Sequence, residues 1–122
     1  MTMEARMISS FEDAVAFALT LPDTELSTSY GKPAVKVKSN GRAFLYTGHE
    51  HEYSFGIAID LDTLEILKET DPDTFFQTPH YEGWPAVLIR FGSKDPERVR
   101  AMIERSRDWT AAKPPPKARK RK

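Results

Sequence analysis

The chain has 122 residues, no cysteine, and 18 basic residues against 18 acidic ones. That length sets one domain with interior enough to fold without staples, and the missing thiols exclude both a disulfide framework and a thiolate metal centre. The zero net charge conceals a division: every acidic side chain lies at or before Asp108, while Lys113, Lys117, Arg119, Lys120, Arg121 and Lys122 close the chain, so residues 1–112 carry −6 and the last ten +6.

In chain order, MTMEARMISS carries Glu4 and Arg6 and lacks the apolar core of an export signal, so a cytoplasmic location away from membranes is expected. Ser9 or Ser10 opens a helix over FEDAVAFALT. Ser9 and Glu12 have the spacing of a reciprocal cap, and Phe11, Ala14, Val15, Ala18 and Leu19 make one apolar face before Pro22 ends it. Tyr30 to Lys38 alternates, with Val35 and Val37 on one side and Lys36 and Lys38 on the other, as a half-exposed strand does. Asn40-Gly41 then turns the chain into a return strand, Arg42 to Thr47, and a third strand follows from Tyr53 to Ile59.

Leu61, Leu64 and Leu67 suit a short amphipathic helix, and Asp71-Pro72 signals a further helical turn ending by Thr78. Trp84 to Phe91 is nearly all apolar and predicts a central strand. Asp95-Pro96 starts a final helix whose inner face is Val99, Met102, Ile103 and Ser106. The order α-β-β-β-α-α-β-α predicts an α+β two-layer sandwich, helices packed on one face of an antiparallel sheet, as a single domain over residues 1–112. Residues 113–122, KPPPKARKRK, cannot bury a core and are expected to be disordered; such arms either touch an anionic surface or solubilise.

Chemistry-bearing clusters are sparse. His49-Glu50-His51-Glu52 offers two imidazoles but signals no third ligand, and a polar hairpin loop accounts for it, so no metal is expected. Asp60 and Asp62 sit where a helix prefers acidic residues. His80, between Pro79 and Tyr81, lacks a companion nucleophile or acid at diagnostic spacing; no catalytic residue, cofactor or enzymatic role is expected.

Two segments are more specific. SYGKPAVKV (Ser29 to Val37) and FFQTPHYEGWPAVLIRF (Phe75 to Phe91) resemble the MmcQ/YjbR-like family of small bacterial proteins, with matches at Tyr30, Gly31, Lys32, Pro33, Thr78, Pro79, His80, Tyr81, Gly83 and Pro85, and Trp84 where an aromatic is common. The resemblance runs from about Phe11 to Trp109. That family is described as DNA-binding, with a double-wing α/β fold. The resemblance implies that the hairpin from Val35 to Tyr46 is one wing, offering Lys36, Lys38 and Arg42 to DNA phosphates; Lys32 of the preceding turn is a further candidate, and the charge of the tail adds Lys117, Arg119, Lys120 and Arg121. Exposed cations suit phosphates, and a two-stranded ribbon fits a groove. Strand lysines also guard sheet edges, and an acidic body opposes a polyanion, so the binding expected is weak and sequence-tolerant. The alternative is a non-catalytic interaction module for a protein or small-molecule ligand, using a cleft around Tyr30, His80, Tyr81 and Trp84. On either reading a monomer is expected.

Overall fold

The computed structural model describes residues 7–47, 53–79 and 81–115. Three helices and six strands follow one another as α1 (Phe11–Ala18), β1 (Thr24–Ser29), β2 (Lys32–Val37), β3 (Ala43–Thr47), β4 (Ser54–Ala58), α2 (Leu61–Thr70), β5 (Phe75–Phe76), β6 (Ala86–Arg90) and α3 (Pro96–Ala111).

Each helix starts on a side-chain cap, which satisfies amide groups that have no partner inside the helix. Ser10 Oγ accepts from the Asp13 amide at 3.1 Å, and the Asp13 carboxylate takes the Ser9 amide at 3.0 Å. The reciprocal cap expected of Ser9 and Glu12 is therefore made one residue later. Asp60 caps α2, accepting from the Thr63 amide at 3.0 Å and its hydroxyl at 2.8 Å, while Arg105 of α3 donates from Nε at 3.2 Å. Partial burial raises the Asp60 pKa, but these hydrogen bonds and the guanidinium charge outweigh it and hold the carboxyl below its usual range. Asp95 caps α3, with Pro96 in the first turn.

The sheet order is β1-β2-β3-β4-β6-β5, antiparallel throughout. Because side chains alternate across a strand, the paired row Val35, Leu45, Ile57 and Val87 and the row Phe55, Ile89 and Phe75 share one face. Those residues are buried with Ala14, Ala18, Leu64, Leu67, Val99 and Ile103 of the helices. The core is thus a single layer between the three helices and one side of the sheet.

A β-bulge adjusts β3 to this core. Val35 faces Leu45 but Lys36 faces Ala43, leaving Phe44 as an extra residue. Phe44 and Leu45, though adjacent, are both fully buried in the core. Ser106 of α3, itself buried, donates to the Phe44 carbonyl at 3.1 Å, which satisfies a backbone group at the irregular step.

The α+β class, the antiparallel sheet and the one-sided helices agree with the sequence reading. The element order differs in two places. TELSTS forms β1, an edge strand that its weak alternation and low apolar content conceal. After Asp71 the chain makes only a turn and enters the two-residue strand β5, where a helical turn was expected. Phe75 is driven there by burial in the sheet core and Phe76 by pairing with Leu88.

The β2–β3 turn is sewn to the helix layer. Gly41 takes φ +73°, in the left-handed region open to glycine, and Asn40 is buried. Asn40 Nδ2 donates to the carbonyls of Thr110 at 2.8 Å and Lys113 at 3.0 Å, supplying partners to groups at the end of α3. Arg42 Nε donates to the Pro114 carbonyl at 2.6 Å. The first residues of the basic segment are therefore held against the sheet, where disorder from Lys113 onward was expected.

Candidate nucleic-acid interface

With Val35 and Val37 in the core, the alternation of β2 turns Lys32, Ala34 and Lys36 to the sheet face away from the helices. Lys38 continues the row, since its amide still pairs with the Asp23 carbonyl at 2.8 Å. Lys32 and Lys38 are exposed and Lys36 is half-buried. Glu25 lies directly opposite Lys36 on β1.

The family description makes the Val35–Tyr46 hairpin one wing. In the structure β2 and β3 lie inside the sheet, paired on both sides, and their turn is tied to α3. For the same reason the lysines of β2 do not guard an edge. The projecting ribbon is instead the β1–β2 hairpin, in which Lys32 and Pro33 pair only with β1. Its two-residue turn places Tyr30 at φ +54° and Gly31 at φ +79°, the left-handed pair that a type I′ turn requires. Tyr30 stands fully exposed at the tip.

Arg42 is at the far end of β2 from that tip, with its Nε committed to Pro114. Lys117, Arg119, Lys120 and Arg121 lie outside the described residues.

Of the residues expected to form an aromatic cleft, Tyr30 is not brought to Tyr81 and Trp84. Tyr81 and Trp84 share the turn between β5 and β6, where the Trp84 amide donates to the Tyr81 carbonyl at 2.9 Å. Gln77 Nε2 fastens this turn to the carbonyls of Tyr81 at 3.0 Å, Trp84 at 3.2 Å and Ala86 at 2.7 Å. The turn meets the sheet at the Ala86 end of β6, whereas the Tyr30 tip leaves it at the Arg90 end. At about 4.8 Å per strand, the three steps from β2 to β6 add roughly 14 Å of lateral separation. His80 falls outside the described residues.

The sheet face bearing the lysines has its own small aromatic layer, which the sequence did not bring forward. Ala34, Tyr46, Gly56, Leu88 and Phe76 form one paired row across five strands. A side chain at Gly56 would meet the Tyr46 ring at 2.6 Å, so the ring occupies the space over the glycine. Arg90 caps the row's far end, its guanidinium 4.0 Å from the centre of the Phe76 ring. The signal available in the sequence was a glycine inside an apolar strand, which marks a close approach by another group.

Burial pushes the Tyr46 phenol well above its ordinary value, with the nearby Tyr81 adding to the shift, and burial also raises Tyr81. A folded-state pKa above the unfolded one favours folding fully below the unfolded value and loses that contribution as pH rises past it. Stability is therefore expected to fall above about pH 10, and Tyr46→Phe to flatten that fall in chemical denaturation measured from pH 8 to 11.

On the opposite side, Asp60, Ala101, Glu104, Arg105, Asp108 and Trp109 line an open depression of about 450 Å³ on the helix layer. Its carboxylates disfavour an anionic ligand. Among the described residues no three His, Asp or Glu side chains are placed to hold a metal ion, and His49, Glu50, His51 and Glu52 lie outside those residues. No described helix is long and apolar enough to cross a membrane.

The sequence model of the YjbR family matches residues 19–109, most of the chain. The chain belongs to the YjbR family. The YjbR match includes all six strands, α2 and nearly all of α3, so both the lysine row and the Tyr46–Gly56 layer lie within it; it stops before the basic tail. No curated protein and no solved structure matches the chain.

Proposed function

We propose that this YjbR-family protein binds DNA weakly and with little sequence preference. Contact is through phosphates, along the row Lys32, Lys36 and Lys38 beside the projecting Tyr30 tip, and through the basic tail. The observation that carries this reading is the division of charge between layers. Glu25 is the only carboxylate on the six strands, which carry Lys32, Lys36 and Arg90. Carboxylates gather instead on the helices and their caps, among them Asp13, Asp60, Glu65, Glu69, Glu97 and Glu104. An acidic body thus need not repel DNA from the sheet side, because the sheet stands between the carboxylates of the helix layer and that face.

The basic tail supplies further cations. Pro114, the last residue but one of the described segment, is tied to Arg42 near the Lys38 end of the row, and the sequence beyond it carries Lys117, Arg119, Lys120, Arg121 and Lys122. The exposed Tyr30 adds a ring that stacks on a base or lies in a groove.

The test is a duplex titration by fluorescence anisotropy over a range of salt. Each phosphate contact in duplex DNA contributes about 0.9 to the slope of log affinity against log salt. Changing Lys32, Lys36 and Lys38 together to Gln is expected to reduce that slope by about 2.7, and removing residues 116–122 to reduce it further. Binding indifferent to salt, or none in dilute buffer, rejects the reading.

A further inference from the structure

We infer that β1 is the contact strand of a reversible homodimer, in which two copies join their sheets edge to edge about a two-fold axis normal to the sheet.

A sheet of this kind has two ends, and they differ. The β5 end is only two residues long. The β1 end presents six regular residues, TELSTS, in unbroken register with β2 from Thr24 opposite Val37 to Ser29 opposite Lys32. Exposed edges are ordinarily guarded by lysine, proline, a bulge or a covering element. β1 has neither lysine nor proline, its one charge is Glu25, and its pairing has no bulge.

The hydrogen-bond pattern fixes which groups are offered. The Lys38 amide donates to the Asp23 carbonyl, so Asp23 points its backbone toward β2. Alternation then points Glu25, Ser27 and Ser29 inward as well, and turns the amides and carbonyls of Thr24, Leu26 and Thr28 outward. These three outward residues are spaced symmetrically about Leu26.

That symmetry selects a second copy as the occupant. A two-fold axis normal to the sheet keeps helix sides together, so facing residues must share a face. Setting Leu26 against Leu26 places Thr24 against Thr28 and Glu25 against Ser27. Every outward backbone group is then paired, in three hydrogen-bonded residue pairs, and no like charges meet. Leu26, half-exposed at 56% beside the core residue Val35, is covered by its own symmetry mate. Shifting the register to centre on Ser27 would strand Thr24 against Tyr30 of the turn and leave the leucines unpaired with one another.

One edge strand buries less than the roughly 1,200–2,000 Å² of a standard interface, so the dimer forms at high protein concentration and dissociates on dilution. Light scattering during size exclusion is expected to show the mass rise from the 13.9 kDa of one chain toward twice that as the full-length protein is concentrated. Leu26→Lys is expected to hold it at the single-chain mass with an unchanged circular dichroism spectrum. In the unmodified protein, amide hydrogen exchange at Thr24, Leu26 and Thr28 is expected to slow with concentration while exchange at Ser9 does not. A single-chain mass at every concentration, exchange at the three amides independent of concentration, or a Leu26→Lys protein that dimerises as the original does would each overturn the inference. Should the variant misfold, the exchange series decides.

Discussion

Phe44→Ala is expected to lower the free energy of unfolding by about 3–5 kcal/mol, the range for emptying a buried phenylalanine site. Phe44 is fully buried on the helix side of β3 and is the extra residue of the bulge. Its loss leaves a void, and the site resists collapse because its backbone is held on two sides. The neighbours Ala43 and Leu45 are paired with β2, and the Phe44 carbonyl accepts from Ser106. Urea unfolding monitored by circular dichroism measures the change. A loss below about 1 kcal/mol, as for an ordinary surface substitution, would show that Phe44 is not in the core.

Gly56→Ala is expected to destabilise the protein by about 1–3 kcal/mol, the range for forcing an extra group into a packed site. Alanine ordinarily suits a strand better than glycine, so the sign of this effect is diagnostic. The added carbon would sit 2.6 Å from Tyr46 Cε1 and 2.9 Å from Cδ1, with Leu88 Cδ2 at 3.6 Å behind it. The ring must therefore swing off the sheet. A double-mutant cycle isolates the cause: once Tyr46→Ala has removed the ring, Gly56→Ala should become neutral or stabilising. An equal penalty in both backgrounds would show that backbone conformation, not the ring, demands glycine there.

Much of the architecture was legible because burial was written into periodicity. Val35 and Val37 alternating with lysines, and Leu64 and Leu67 at helical spacing, could satisfy their apolar faces in only one way, and both elements form as expected. β1 was hidden because an edge strand needs little burial: Leu26 is its lone large apolar residue and remains half-exposed. The turn after Asp71 is not legible locally because Asp-Pro opens helices and turns alike, and what decides is the long-range pairing of Phe76 with Leu88.

The site shows the same division. Strand alternation placed Lys36 and Lys38 on one face without any knowledge of neighbours; that Lys32 joins them follows from the strand beginning at Lys32. Sequence alone could not say that the β2–β3 hairpin is interior, because that depends on β1 and β4 supplying partners on either side. Nor could it show that Tyr30 and Trp84 leave the sheet at opposite ends. Local motifs announce a turn; the order of strands decides which turns meet.

Among the described residues, the uneven placement of carboxylates and lysines gives the fold an electrical polarity, with its helices toward the negative pole. Near a highly charged anionic polymer such a particle experiences a torque before any contact forms, turning the β-side forward. The gain falls on encounter frequency more than on residence time, and it fades as ions shorten the reach of the field.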